Sequence, residues 1–221
     1  MAKCIKCGRK GLFLQVNKNG LCAECVAAND AHYEELRRQH EGDQRKYAEY
    51  CAINQKYQEA NALEPVDRIA AYERLMKEYP NYIAINSMRR QLATFCRMEK
   101  QYGKAWQLLN QAYFEAMRNP EVGAPSPSIR YEQFLVLSEE GRRPLEAVQL
   151  LGCFYILRGE CPPSFYKKIR PLTNKAGLSK EQTEAIVDLV HRFNSEGIKE
   201  ERAFTIAYRE LITVAKKEVA M

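Results

Sequence analysis

The feature that most constrains this chain is a set of four cysteines close to its N-terminus. They form two Cys-x-x-Cys pairs, Cys4 with Cys7 and Cys22 with Cys25, and the segment 8–21 separates the pairs. Two thiolates at this spacing can turn toward one ion, and two such pairs complete a tetrahedral shell of four sulfurs. Such a shell suits Zn²⁺, with Zn–S distances of ~2.3 Å. The sequence therefore predicts one zinc ion per chain, held by these four residues.

Two other interpretations of the cysteines stay open at this point: four free thiols, or a redox pair. A redox Cys-x-x-Cys normally lies in a βαβ unit, which the surrounding sequence does not indicate. Four thiolates would also close the metal shell to water, so the zinc is expected to be structural rather than catalytic. About 25 residues cannot bury enough apolar surface to fold unaided, so the ion is expected to fold this segment.

The residues around the two pairs predict local structure. Gly8 directly follows the first pair, where a positive φ is often needed. Apolar and polar residues alternate over 12–16, as in a short strand, and Asn19-Gly20 predicts a type I′ hairpin turn. The second pair runs into AECVAANDAHYEELRRQ, which favours a helix without interruption.

This order of a Cys-x-x-Cys knuckle, a hairpin and a second knuckle opening a helix resembles the treble-clef class of zinc fingers. A simple zinc ribbon would follow its second knuckle with another hairpin, so the helix favours the treble clef. The pattern CxxCGRKGLF…NGLCxxC also resembles finger modules at the head of multi-domain bacterial proteins. That second resemblance implies no particular role.

Helical periodicity dominates from about residue 27 onward. Breaks are predicted at Pro80-Asn81, near residues 101–103, over the Pro- and Gly-rich segment 119–128 and at Gly141, with Pro144 starting the next helix. One helix face is predicted from these residues: Val66, Ile69, Tyr72, Met76 and Tyr79. The last helix is predicted to bury these: Ala203, Ile206, Ala207, Leu211 and Val214.

Helix ends are predicted from capping residues. Ser128 is a candidate cap for the helix that follows it. Ser179 and Gln182 form a capping-box pattern, and Gly197 is the predicted stop of the helix that they begin. The terminal pair of helices is expected to close the helical array, because stacked repeats need a capping element at each end.

A weak internal repeat indicates how the helices are arranged. AWQLLNQAY at 105–113 and AVQLLGCFY at 147–155 share five of nine residues at an offset of 42. Each follows a turn and an amphipathic helix, as in stacked helical hairpins. The stretch LATFCRMEKQYGKAWQLLNQA resembles a tetratricopeptide repeat, and the resemblance covers about 45–158. The helix pair of that family has small and aromatic packing residues at fixed positions. In this sequence those positions hold Leu92, Ala93, Tyr102, Ala105 and Ala112.

The predicted fold class is mainly α, with a small Cys4 zinc module containing one β-hairpin, followed by an all-α array of tetratricopeptide-like helical hairpins. The predicted domains are a zinc finger at 1–27 and a helical domain at 28–221. Within the helical domain, linking helices occupy 28–64, helical hairpins occupy 65–160 and C-terminal helices occupy 161–221.

The composition indicates a cytoplasmic protein without a membrane partner. The N-terminus MAKCIKCGRKG lacks the apolar stretch of a secretory signal. The longest uncharged apolar segment, AVQLLGCFYIL, is far shorter than the ~20 residues that cross a bilayer. Cysteines in that compartment are expected to be reduced.

The sequence contains none of the common catalytic motifs. The three histidines, His32, His40 and His191, have no metal-ligand or triad spacing, and no phosphate-binding glycine loop occurs. The remaining cysteines lack paired spacing, and at least the first three fit buried small hydrophobic residues; they are Cys51, Cys96, Cys153 and Cys161. The chain is therefore expected to be non-enzymatic, with no small-molecule substrate.

Three functional hypotheses follow from the sequence. The leading hypothesis is an adaptor that binds a protein or peptide through its helical hairpins. The rival is nucleic-acid binding, because residues 1–25 carry a net charge of +4 and 164–175 interleaves basic and aromatic residues. The candidate contacts are Lys3, Lys6, Arg9, Lys10, Lys18, Lys167, Lys168 and Arg170. An enzyme with a pocket that no local motif reveals is the third.

Overall fold

The computed structural model describes residues 2–11, 15–82, 84–118 and 126–219. Helices make up 77% of the structure, and the described residues contain nine helices and one small antiparallel two-stranded sheet. The prediction of a mainly α fold with a small N-terminal cysteine module is therefore confirmed. Every helix within the described ranges is too short or too polar to span a membrane. The chain divides into two compact units, 1–58 and 59–221, and the domain boundary placed after residue 27 stays a prediction.

The first unit begins with a sheet that encloses the first cysteine pair. Strand β1 (Ala2–Lys3) pairs antiparallel with β2 (Lys10–Gly11), so that Lys3 lies opposite Lys10. The chain reverses between them, and the Gly8 backbone N–H donates to the Cys4 carbonyl at 3.0 Å. Gly8 has a φ of +74°, which confirms the prediction of a left-handed residue here.

A second turn brings the chain back to the second cysteine pair, where Val16 bridges Cys22 antiparallel. The Gly20 N–H donates to the Asn17 carbonyl at 2.9 Å. Gly20 has a φ of +72° but Asn19 does not have a positive φ, so the predicted type I′ turn is wrong. The geometry is a type I turn closed by a left-handed glycine. Asn17 favours it, because its Oδ1 accepts the backbone N–H groups of Asn19 and Leu21 at 2.9 and 3.0 Å. Most of the predicted strand, residues 12–14, lies outside the described residues.

The remaining elements are helices. The first, α1 (Ala23–Asn61), begins inside the second cysteine pair, as predicted. The others follow in chain order: α2 (Pro65–Glu78), α3 (Ile85–Met98), α4 (Tyr102–Arg118), α5 (Pro127–Glu140), α6 (Pro144–Arg158), α7 (Ser164–Lys175), α8 (Lys180–Ser195) and α9 (Glu201–Val219).

Helices α2 to α9 pack mainly on their sequence neighbours. The pairs α3/α4 and α5/α6 form helical hairpins, and α3 also contacts α5. The two copies of the internal repeat lie in α4 and α6, the second helix of each hairpin. Helix α6 contacts α8 and α9 in addition to α5 and α7. It is therefore enclosed on several sides, which explains why its sequence is apolar nearly all round.

Close packing of α9 on α6 depends on one glycine. A Cβ atom added at Gly152 in α6 would lie 2.7 Å from Cε1 of Phe204 in α9. Phe204 is fully buried and also makes an edge-to-face contact with Phe193 of α8, with ring centroids 5.6 Å apart. The equivalent position in the first repeat copy is Asn110 of α4. The second repeat copy therefore leaves room for the Phe204 ring at a position where the first copy carries a side chain.

Several helix ends agree with the sequence. Gly141 ends α5 with a φ of +73°, and Pro144 is the first residue of α6. Ser179 and Gln182 form the predicted capping box at the start of α8, with hydrogen bonds of 3.2 and 2.9 Å. Gly197 follows α8 with a φ of +69°.

Other ends differ from prediction. The expected cap at Ser128 is wrong, because α5 already begins at Pro127 and Ser126 occupies the N-cap position. The proline fixes a helical φ at residue 127, two residues earlier than a cap at Ser128 would allow. The turn expected near 101–103 spans 99–101, with Lys100 at a φ of +60°. Within the predicted loop 119–128, residues 119–125 lie outside the described residues.

The buried faces of two helices also differ from prediction. In α9 the buried residues are Phe204, Tyr208, Ile212 and Ala215, whereas Ile206 and Val214 are exposed. The buried face of α9 is thus shifted by about one residue from the predicted face, because the aromatic rings rather than the aliphatic chains fill the space beside Gly152. In α2, Val66 is exposed while Ile69, Tyr72 and Leu75 are buried.

The cysteines outside the N-terminal cluster differ in their burial. Cys96 and Cys153 are buried, as predicted, and Cys161 is half-buried. The expectation of a buried Cys51 is wrong, because it lies on an exposed stretch of α1.

Candidate metal centre

The structure brings the four N-terminal cysteines together. Their Sγ atoms all lie within 4.8 Å of one another, and those of Cys7 and Cys22 are 3.9 Å apart. Cys4 directly follows β1 and Cys7 lies in the turn before Gly8, whereas Cys22 and Cys25 flank the first residues of α1. A tetrahedral ion with ~2.3 Å Zn–S bonds needs sulfurs about 3.8 Å apart. The group could therefore hold a metal ion.

Little else is buried with these sulfurs. Cys4, Cys22 and Cys25 are buried while Cys7 is exposed. In the described part of the unit, the apolar side chains packed against this cluster are Val16 and Leu21. Two aliphatic side chains cannot offset the chain entropy of a segment this long. The cysteine cluster therefore depends on something stronger than hydrophobic burial.

Backbone N–H groups stabilise negative charge on the Cys4 sulfur. The Cys22 N–H donates to Cys4 Sγ at 3.4 Å. Backbone N–H groups of Cys7, then of Cys22, lower the pKa of the Cys4 thiol to about 6. Burial raises the pKa of Cys25 to about 12, and hydrogen bonds to the neighbouring sulfurs add to the effect. The Cys25 thiol thus keeps its proton unless a cation is bound beside it, so that metal binding here would release that proton.

The basic residues predicted as nucleic-acid contacts in the first unit have varied surroundings. Lys3 and Lys10 face each other across the β1–β2 pair, and both are exposed. Arg9 forms an exposed ion pair with Glu24 at 2.9 Å.

Two further basic residues complete that predicted set in the first unit. The Lys6 Nζ donates to the Asn29 side chain on α1, and Lys18 is exposed in the second turn. The partners Glu24 and Asn29 were not predicted, because Glu24 is 15 positions from Arg9 and Asn29 lies on α1 beyond the cysteine motif.

The basic residues predicted as contacts in the second unit are mostly engaged within the protein. The Lys168 Nζ lies 3.3 Å from the hydroxyl of Tyr131 and 3.5 Å from that of Tyr155. An Arg170 nitrogen donates to Thr183 Oγ1 at 3.3 Å.

The rest of that segment offers little for base stacking. Lys167 is exposed, but Phe165 is fully buried. The aromatic-and-basic pattern of α7 therefore reflects packing to a large degree.

The second unit contains a partly buried polar group, the Arg130 cluster, that the sequence did not predict. It consists of Asn110, Tyr113, Arg130, Gln133 and Glu201. Arg130 donates to both Glu201 oxygens at 2.9 and 2.6 Å, and Tyr113 donates to Glu201 at 2.7 Å. Burial lowers the pKa of Arg130, but the hydrogen bonds and charge of Glu201 outweigh it, so the pKa is raised. Burial, followed by the hydrogen bond to Glu201, raises the pKa of Tyr113 to about 12.

The Arg130 cluster continues into the core through glutamine. Arg130 donates to the Gln133 side-chain oxygen at 2.8 Å, and Gln133 donates to Asn110 at 2.8 Å. Its members come from α4, α5 and α9, so no local sequence pattern could have indicated it. Each hydrogen-bonding group named here has a protein partner, which is typical of a structural network rather than a ligand site.

The three histidines, His32, His40 and His191, are all exposed. Comparison of the chain with protein-family models, with curated proteins and with solved structures gives no match.

Proposed function

We propose that Cys4, Cys7, Cys22 and Cys25 bind one structural zinc ion per chain, in a treble-clef-like finger. The mutual approach of the four Sγ atoms supports this proposal. Sulfur-only coordination favours zinc among the common divalent metals, and four protein donors would leave no position for a substrate water. Elemental analysis of the purified, tag-free protein should give about one zinc per chain. A protein without a bound transition metal would contradict the proposal.

We propose further that the chain is a non-enzymatic cytoplasmic adaptor, which binds another protein or a peptide through tetratricopeptide-like helical hairpins. The observation that carries this proposal is an apolar pair on α4: Phe114 and Met117, one turn apart, are each 57% exposed. Adjacent large apolar side chains in water are typical of a binding surface. A partner helix or extended peptide that covers this pair would remove it from water.

The adaptor proposal is tested by capture with two full-length baits. The first carries Phe114→Ser and Met117→Ser, and the control carries Ile206→Ser and Val214→Ser, which alter equally exposed residues of α9. A genuine partner should be captured by the wild type and the control but lost with the first variant, and it should bind again as a purified protein. The proposal fails if the two variants capture the same proteins or if purified candidates do not bind.

Nucleic-acid binding is the alternative, and the cross-strand lysine pair favours it. Like charges directly opposite each other in a sheet are destabilising, and a phosphate between Lys3 and Lys10 would relieve their repulsion. Binding to single- or double-stranded probes should weaken steeply as salt rises, because neutralised phosphates release counterions. Lys3→Gln with Lys10→Gln should weaken it, whereas Lys216→Gln with Lys217→Gln should not. Absence of any salt-sensitive binding would exclude this function.

A further inference from the structure

Helix α1 has a long exposed stretch. No side chain between residues 27 and 52 is buried, and nearly all are exposed. A solvated helix of this kind is marginal in water, since most helical stability in proteins comes from packing of one face. The residue pattern of the stretch indicates which partner could cover it.

Six residues of the stretch recur at alternating intervals of three and four, and we name them the α1 stripe: Tyr33, Leu36, His40, Asp43, Tyr47 and Tyr50. This spacing places them along one side of the helix, as in the seam of a coiled coil. Three of its apolar members are well exposed: Tyr33 at 68%, Leu36 at 46% and Tyr47 at 69%. Tyr50 stacks on Tyr47 with ring centroids 6.4 Å apart.

The polar residues at the centre of the α1 stripe indicate which partner fits against it. A parallel second copy would place Asp43 against Asp43, and two carboxylates in a seam repel each other. An antiparallel second copy, centred between His40 and Asp43, would place each His40 opposite an Asp43. In each of the two central layers, the imidazole N–H of His40 could then donate to the Asp43 carboxylate of the other copy.

The same antiparallel alignment matches the other positions. It places Tyr33 opposite Tyr50 and Leu36 opposite Tyr47, so that apolar residues meet apolar residues in every remaining layer. The residues that flank the seam also agree. Arg37 would lie beside Gln44 and Gln39 beside Lys46, so that neither basic side chain meets a like charge.

We propose that two copies of this chain associate through the α1 stripe as an antiparallel helix pair with His40 opposite Asp43. In such a pair the same residues of each copy contact the other copy, as a closed two-fold interface requires. The contact spans about two and a half heptads, so the association is expected to depend on protein concentration.

Sedimentation equilibrium of the full-length, zinc-loaded, reduced protein tests the association. The wild type should show a monomer–dimer equilibrium. Tyr33→Ala with Tyr47→Ala should raise the dissociation constant at least tenfold. Arg38→Ala with Arg45→Ala, on the opposite side of α1, should leave it within about threefold. A monomer at all concentrations, or equal effects of the two double variants, would overturn the proposal.

The central pair is tested by charge exchange. His40→Asp should weaken association at least tenfold, because it places two carboxylates in contact in each central layer. The exchange His40→Asp with Asp43→His restores the complementary pair, so it should recover association to within about threefold of the wild type. A double variant as weak as the single variant would contradict the assigned pairing.

Orientation is tested with a spin label on the exposed Cys51, in a Cys161→Ser background, without any change in the stripe. In the antiparallel pair the two Cys51 positions lie 19 residues apart along the axis, or about 28 Å at 1.5 Å per residue. A parallel pair would place the labels side by side. A measured separation close to the antiparallel offset supports the proposal, whereas adjacent labels, or no dipolar coupling, would overturn it.

Discussion

The two units of this chain are held together by different means. In the first unit, the described residues around the cysteine cluster contribute two aliphatic side chains to its core, Val16 and Leu21. In the second unit, a continuous apolar core runs through α5 to α9, with Phe204 and Ile156 fully buried. Under the proposed zinc site, the first would therefore depend on metal, whereas the second depends on burial of apolar surface. The comparison teaches that one chain can combine a segment with almost no apolar core and a segment that has a large one.

The largest effect is expected from removing one sulfur. Cys22→Ser should release the zinc and unfold the segment around the cysteines, since structural zinc supplies about 10 kcal/mol or more to a small module. The second unit should keep its hydrogen-exchange protection. Cys51→Ser is the control, because Cys51 is exposed and outside the cluster. Zinc content and amide exchange are measured on both variants, and one zinc per chain in Cys22→Ser would contradict the assignment.

A smaller effect is expected in the Arg130 cluster. Glu201→Gln leaves the Arg130 charge without its carboxylate, at side-chain exposures of 16% and 18% for the two partners. Breaking a largely buried pair in this way should lower the free energy of unfolding by about 3 kcal/mol. Denaturant unfolding measures the loss.

Glu210→Gln is the control for that substitution, because Glu210 is exposed on the same helix. It should change the free energy of unfolding by less than about 0.5 kcal/mol. Zinc content should stay unchanged in both variants, and a loss of zinc in Glu201→Gln would contradict the independence of the two units.

The contact of α6 with α9 should be sensitive to one methyl group. Gly152→Ala places a Cβ against the Phe204 ring, 2.7 Å from Cε1, and such overpacking should cost about 1–3 kcal/mol. Gly103→Ala is the matched control, because a Cβ at Gly103 meets nothing within 4 Å and the residue is in a helix. It should be neutral or stabilise by up to about 1 kcal/mol. Equal melting temperatures for the two variants would refute the close contact.

The smallest effect is expected at the first knuckle. Gly8→Ala meets no atom within 4 Å, so its cost arises from the φ of +74° alone. That cost should be about 1 kcal/mol, which weakens zinc binding about fivefold. Gly42→Ala, in the middle of α1 with free space around it, should leave zinc affinity unchanged. Competition with a chromophoric chelator measures both, and equal affinities would show that the knuckle does not need its glycine.

Features with a local cause could be predicted from the sequence. The four cysteines, the left-handed Gly8 and the capping box of Ser179 with Gln182 each depend on neighbours within a few residues. Helix α1 and the pairing of α3 with α4 and of α5 with α6 also follow from local periodicity and repetition.

Features with a distant cause could not be predicted. The α9 sequence allows two apolar faces, and the choice of Phe204 over Ile206 depends on the space beside Gly152 in another helix. The turn after Val16 differs from prediction because the Asn17 side chain holds the backbone, whereas the sequence rule considered only Asn19 and Gly20. The Arg130 cluster unites residues from three helices, and its glutamate lies 71 positions beyond its arginine.

The enclosure of α6 restricts how this unit can change length by duplication. Further hairpins copied in ahead of α3 would leave intact both the contact of Phe204 with Gly152 and the Arg130 cluster. A hairpin copied in behind α6 would separate α9 from that glycine and expose the rings of Phe204 and Tyr208 to water. Lineages that lengthen or shorten the array should therefore do so on its N-terminal side, while α3 to α9 are inherited as a block.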